Sequence, residues 1–274
     1  MVQFPDESLQ LFERFTLFNS PYYAHTGGKA IDLYPDNDRP SAPSPIAGTV
    51  TQIHSVEAPT KSYAADQDYL LIIETANTYV RILHVDPTVR EGDYVARGES
   101  LGTLIRSGYF APWVANHLHV EFRPLQMNPI RAKGSLPIYL ESEIVPIAWD
   151  GTGTVQERDN TYVILDSPTH SQPGEYFVGF GSDSMDRVID GGLPHYPNGG
   201  VIADYNSEIS FQGSVIGTPD NGRTLHWPDM TIHANNKQIH GLSLFCAKDK
   251  LYAKLICPDT TFPIGTEITV SIDP

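Results

Sequence analysis

The chain has 274 residues, 40% of them hydrophobic, which is enough apolar material for one large β domain or two ordinary ones and argues against wholesale disorder. A formal net charge of −15 with no basic patch counts against nucleic acid as a partner, and the acidity disfavours anionic membranes. No stretch approaches the roughly 18 apolar residues of a membrane span. The start, MVQFPDESLQLFERF, lacks the apolar run of an export signal, so a cytoplasmic protein with no membrane association is expected.

Residues 1–24 read as a lead-in with a short helix or strand at SLQLFERFTLF. From 25 to 125 the chain is a series of short strands: AIDLY, GTVTQIHS, DYLLIIET, TYVRILHV, DYVARGESLGTLI and HLHVEFRP. NPIRAKGSLPIYL, with two prolines, looks irregular. A boundary near 145, at EIVPIAWDGTGTV, separates expected domains 1–145 and 146–274. The second half is again strand-rich, with TYVILD, EYFVGFG, EISFQGSVIG, LSLFCAKDKLYAKLI and TEITVSIDP. DGGLPHYPNGG reads as a turn-rich loop that binds a ligand, caps a groove or only connects strands. The expected fold class is all-β, with a second, β-sandwich-like domain after the first. Cys246 and Cys257 either pair on neighbouring strands or are two buried thiols. The second reading is preferred, because nothing else points to an oxidising compartment.

Within HLHVEFRP, Leu118, Val120 and Phe122 alternate with His117, His119 and Glu121, the pattern of a half-buried strand. Residues i and i+2 share a face, so His117 and His119 project side by side. Such a pair suits two metal ligands, or one ligand and one proton carrier, as well as two surface histidines. Upstream, YYAHTGGKAIDLYP offers His25 and Asp32. Asp32 lies between Ile31 and Leu33, where a carboxylate needs either solvent or a cationic partner. His84 ends the apolar run RILH, either as a site residue or as a histidine bonded to backbone, and His54 reads as structural or exposed. Of the later histidines, His170, His195, His226, His233 and His240, the trio at 226, 233 and 240 fits no standard ligand spacing, and all five read as surface or structural.

In order, the chain carries His25 and Asp32, then IAGTV, RILHVDP, VREGDYVARGESLGTL and HLHVEFRP. This series resembles the lysostaphin-type zinc endopeptidases, which cleave peptide cross-links of bacterial cell walls, and the resemblance covers residues 25–124. It implies a duplicated barrel-sandwich hybrid fold for the first domain. It further implies one zinc per chain, held by His25, Asp32 and His119. His117 would be the general base, and His84 would orient water or stabilise the developing oxyanion. The implied partner is a peptide or peptidoglycan-like substrate. The chain departs from the family in placing six residues, TGGKAI, between His25 and Asp32 where relatives place three, and in its SGYFAPWVAN lead into the histidine pair. Tyr109, Phe110 and Trp113 there are substrate-wall or core aromatics. Two other readings stay open: a non-catalytic metal-binding or scaffold protein on the same fold, and a carrier barrel of the biotinyl type, for which Lys61 is the nearest modifiable lysine. Iron, cobalt or nickel would also accept such ligands. The oligomeric state is left open.

Overall fold

Short runs rich in Val, Ile and Tyr, punctuated by Gly, Pro and Asn, leave little room for helices, and the chain is nearly all β. A computed structural model describes residues 1–36, 41–166 and 177–273. Two compact units emerge, Met1–Phe15 with Lys29–Ser142, and Thr16–Gly28 with Glu143–Pro274. The expected boundary near 145 lies beside the observed change at 142–143, but residues 16–28, expected in the first domain, group with the second unit.

Five strands organise the first unit: β1 (Ala30–Tyr34), β2 (Gly48–Val56), β3 (Asp68–Glu74), β4 (Thr78–Leu83) and β5 (Leu118–Pro124). They form an antiparallel sheet in the spatial order β1-β5-β4-β3-β2. Register aligns Ile31, Val120, Ile82, Leu71 and Ile53 in one row across it, and the first four are fully buried. Such cross-strand rows are the unit of sheet stabilisation. The neighbouring row points to the opposite face and holds Asp32, His119 and Leu83.

That opposite face corrects the half-buried expectation for HLHVEFRP. Residues Leu118 to Arg123 are buried on both sides, polar positions included. The buried charges survive because they are paired. Arg81 Nε donates to Glu121 Oε1 at 3.1 Å, and Arg123 Nη1 donates to the Lys133 carbonyl at 2.6 Å. The Ser135 hydroxyl also donates to Glu121, so the irregular 125–137 stretch supplies partners for the polar face.

TYVRILHV does not run through as one strand. β4 stops at Leu83, and His84 takes φ +72°, a backbone region that costs a non-glycine residue energy. The chain then enters a second sheet formed by Ser41–Pro43, Val85–Pro87 and Ser100–Leu104. Gly102 in that sheet has φ +149°, and a Cβ there would lie 2.0 Å from the Asp86 carbonyl oxygen, so the GESLG motif needs its second glycine for close backbone approach. The lead-in forms a one-turn helix at Asp6–Leu9 and a strand at Arg14–Thr16.

In the second unit, strands Thr152–Arg158, Tyr162–Asp166, Tyr252–Ile256 and Gly241–Lys248 pair in that antiparallel order. Gly241–Lys248 also pairs with Phe177–Gly181 and with Val188–Leu193. DGGLPHYPNGG, read from sequence as a loop, is instead most of a hairpin, Val188–Leu193 with Asn198–Val201. Its glycines are packing positions as well as turn positions: a Cβ on Gly199 would lie 1.9 Å from the Trp227 ring. The core gathers Trp149, Phe180, Phe211, Leu244 and Leu255. Cys246 and Cys257 are both buried and free, and burial raises both thiols, Cys257 to about 11. Among the described residues no helix is long and apolar enough to cross a membrane.

Leu71 sits fully buried in the middle of the apolar row. Leu71→Ala should lower unfolding stability by about 2–5 kcal/mol, read as a reduced midpoint in urea at unchanged slope.

Candidate metal centre

Asp32 and His119 are 87 residues apart, yet the β1–β5 register sets them directly opposite each other. His119 Nδ1 lies 2.8 Å from Asp32 Oδ1, and its Nε2 lies 3.5 Å from Glu121 Oε1. Asp32 thus finds the cationic partner that its place in an apolar strand demands. His117 lies two residues before His119 and brings Nε2 to 3.4 Å from Asp32 Oδ2. Its Nδ1–H donates to the Ala115 carbonyl at 2.9 Å, which places the lone pair of the neutral ring on Nε2.

His25 closes a short 3-10 turn, Tyr23–His25, and donates Nδ1–H to the Leu17 carbonyl at 2.9 Å. One ligand atom each from His25, Asp32 and His119 lies within 4.8 Å of the others, and this is the one such group of three among the described residues. Two imidazoles and a carboxylate are a donor set that zinc accepts, with a position left for water. The surroundings fit as well. Glu121 backs His119 and the Leu17 carbonyl backs His25, the outer contacts that orient metal-binding histidines.

His84 joins the group from the end of β4. Its ring centroid is 5.5 Å from that of His117 and 6.0 Å from that of His119. Buried Asp68, at the start of β3, holds it twice: His84 donates its backbone N–H to Oδ1 at 3.1 Å and its ring Nδ1–H to Oδ2 at 2.7 Å. Ser107 donates its hydroxyl to the same carboxylate. Phe110 is buried, stacks on His117 at 4.4 Å and meets His84 edge-on at 4.7 Å, so it is at once a core aromatic and a wall of the group. Tyr109 donates its hydroxyl to the Glu57 carbonyl at 2.8 Å, and Trp113 is partly buried.

The electrostatics split the two histidines of β5. Burial, helped by the nearby His84 and His119, depresses His117 to about 4 despite Asp32. Burial also works against the charge on His119, but hydrogen bonds and charge from Asp32 and Glu121 outweigh it and raise His119 to about 9. Near neutral pH one imidazole is therefore neutral and its neighbour cationic. Burial pushes the Glu121 and Asp68 carboxyls upward, and their histidine partners more than offset this, leaving both below the ordinary carboxylate range.

Of the residues singled out from sequence, Asp32, His84, His117 and His119 gather within the first unit, and His25 forms the candidate metal-holding group with Asp32 and His119. Of the later histidines, His195 and His240 lie with ring centroids 6.1 Å apart, and His226 and His233 have separate partners. His226 lies 2.5 Å from Asn198 Oδ1, His233 lies 2.8 Å from Asp273, and His195 Nε2 lies 3.2 Å from Ser243 Oγ. His240 is exposed, and His170 lies outside the described residues. His54 pairs with Gln52 at 2.9 Å. Asp68 and Glu121 were missed as partners. The signals were present: an acid opening a strand with the apolar run LLII in DYLLIIE, and an acid two residues beyond His119 on the same face. Within the second unit, a cavity of about 230 Å³ has His25 in its wall, together with Phe18, Tyr22, Tyr23, Asn198 and Thr224.

Fold and site together describe a two-domain, all-β chain with one clustered His/Asp/His group. Residues 3–140 match the N-terminal domain, and residues 145–273 the C-terminal domain, of a family described as a domain of unknown function (DUF8155), and the chain belongs to that family. No curated protein and no solved structure matches it.

The opposite shifts of His117 and His119 set a pH optimum for stability of the metal-free chain. The His117 contribution is fully present above its ordinary value of 6.5 and is lost as pH falls toward 4. The His119 contribution is fully present below 6.5 and is lost as pH rises through 9. In chelator, Tm should peak near 6.5, and His119→Gln should flatten the alkaline limb. A Tm that keeps rising from 6.5 to 9 contradicts the assignment. Asp68→Asn should cost about 1.5–3 kcal/mol in urea unfolding, since it removes a charged hydrogen-bond acceptor from buried donors.

Proposed function

We propose that this chain is a zinc-dependent metalloendopeptidase hydrolysing small-residue peptides, with a first domain of the lysostaphin type and its duplicated hybrid fold. One observation carries the reading: a buried His25/Asp32/His119 donor set has His117 and His84 beside it, each with an orienting partner. The resemblance over residues 25–124 supports the same assignment. Zinc bound there would polarise a scissile carbonyl and make water nucleophilic at neutral pH.

The residues of the chain divide the remaining work. His117 is kept neutral by burial, and its tautomer is set by Ala115, so Nε2 accepts a proton. Asp32, 3.4 Å from that nitrogen, stabilises the imidazolium that results. His84 is locked by Asp68 through Nδ1, as an acid orients the base in hydrolytic triads, which leaves Nε2 of the neutral ring as an acceptor that can orient the attacking water. Glu121 keeps the His119 ring in place. Phe110 excludes water from the faces of His117 and His84. The cavity beside His25 has aromatic and neutral polar walls, which suits an uncharged segment such as glycine- or alanine-rich peptide.

A second reading, a metal-holding binding protein without turnover, is favoured by the burial of all five groups. The carrier reading has less to stand on, since Lys61 Nζ is already committed to the Phe110 carbonyl at 2.7 Å.

Chain purified without chelator should hold about one zinc by mass spectrometry, and His119→Ala should lose it. His117→Ala should keep zinc while hydrolysis of oligoglycine and alanine peptides falls at least about 100-fold. Stoichiometric zinc with no cleavage across such peptides would favour the binding-protein reading, and no zinc uptake at all would sink both.

A further inference from the structure

Asp190 is fully buried in the second unit, and among the described residues its carboxylate accepts hydrogen bonds from neutral donors. The Thr16 hydroxyl donates to Oδ1 at 2.5 Å, while the Leu17 and Phe18 backbone N–H groups donate to Oδ2 at 2.5 and 3.1 Å. The Thr16 hydroxyl in turn accepts the Asn19 N–H at 2.9 Å. Four consecutive residues are thereby wound around one carboxylate. Burying a carboxylate is expensive, and burial raises Asp190 to about 6 although these donors and the nearby His25 favour its charge, so this arrangement calls for a use beyond holding a turn.

The use lies one bond further along. Leu17 donates its N–H to Asp190 and accepts Nδ1–H from His25 at its carbonyl. A carbonyl can only accept, so this contact selects the tautomer whose lone pair is on Nε2. The far end of the same segment is also pinned. Gly27 donates its N–H to the Thr224 hydroxyl at 3.0 Å, and Gly28, at φ +63°, packs where a Cβ would lie 2.8 Å from the Arg223 guanidinium.

We propose that Asp190 is a positioning residue for the metal centre: it fixes the Thr16–Phe18 backbone so that the Leu17 carbonyl orients His25 and commits its Nε2 to the metal. This rests on the zinc reading above. Asp190 makes no hydrogen bond to a ligand atom and acts through the peptide it holds, besides a charge interaction with the nearby His25.

The test compares zinc affinity, by competition with a chromogenic chelator, and the visible spectrum of the cobalt-substituted protein. The chains compared are the full-length parent and its Asp190→Ala, Asp190→Asn, Thr16→Val and Leu255→Ala variants. Asp190→Ala should bind zinc about 10–100-fold more weakly and alter the cobalt spectrum. Asp190→Asn keeps an acceptor for the backbone N–H groups and should recover most of the affinity. Thr16→Val removes one donor and should fall between them, and it stands in for Asp190→Ala if that variant does not fold. Leu255→Ala lowers stability in the same domain through the core and should leave affinity and spectrum near the parent's. Parental affinity and spectrum in folded Asp190→Ala, or in Thr16→Val where it stands in, overturn the proposal alone, as does an equal loss in Leu255→Ala. A parent that takes up no zinc or cobalt overturns the metal reading and this proposal with it.

Discussion

The candidate site depends on one register. β1 and β5 pair so that Asp32 faces His119, and a slip of one residue would turn every side chain of a strand to the other face. The same register places Ile31 against Val120, so the apolar row that holds the sheet together also fixes the polar row behind it. Core packing and site geometry are therefore a single constraint. That coupling also explains why the polar face tolerates burial: Arg81, Glu121 and Arg123 are set opposite or beside one another by the same ladder that aligns the core.

The proton inventory follows from that geometry. Asp32 lies between two imidazoles with different second partners. His119 has another carboxylate, Glu121, whereas His117 has a backbone carbonyl and the rings of Phe110, Tyr34 and His84. Equal burial therefore gives opposite outcomes, one ring held cationic and the other held neutral. A bound divalent ion would replace the His119 proton as the positive charge facing Asp32, so metal and proton compete for one place. His84 is separate in this respect, because its carboxylate, Asp68, is its own.

Much of this was legible in the chain. The alternation in HLHVEFRP placed both histidines on one face, and the acid in AIDLY announced a buried partner. The order of motifs gathered His25 and His84 into the same set. Other features were hidden for identifiable reasons. The break at His84 depends on Asp68 accepting its backbone N–H, a contact across the sheet that leaves no local turn signal. DGGLPHYPNGG looked like a loop because glycine usually marks turns, but here glycines make room for Trp227. The 16–28 segment gave no hint that it belongs with residues 143–274, since its anchor, Asp190, lies 174 residues beyond Thr16.

The sequence by itself determined the β class, the division into two domains and the identity of the residues that cluster, because periodicity and residue type are local properties. The tertiary structure alone decided which atoms meet, which imidazole keeps its proton and which acids stand behind the histidines. Those outcomes depend on register and burial, and both are set by contacts between strands far apart in the chain.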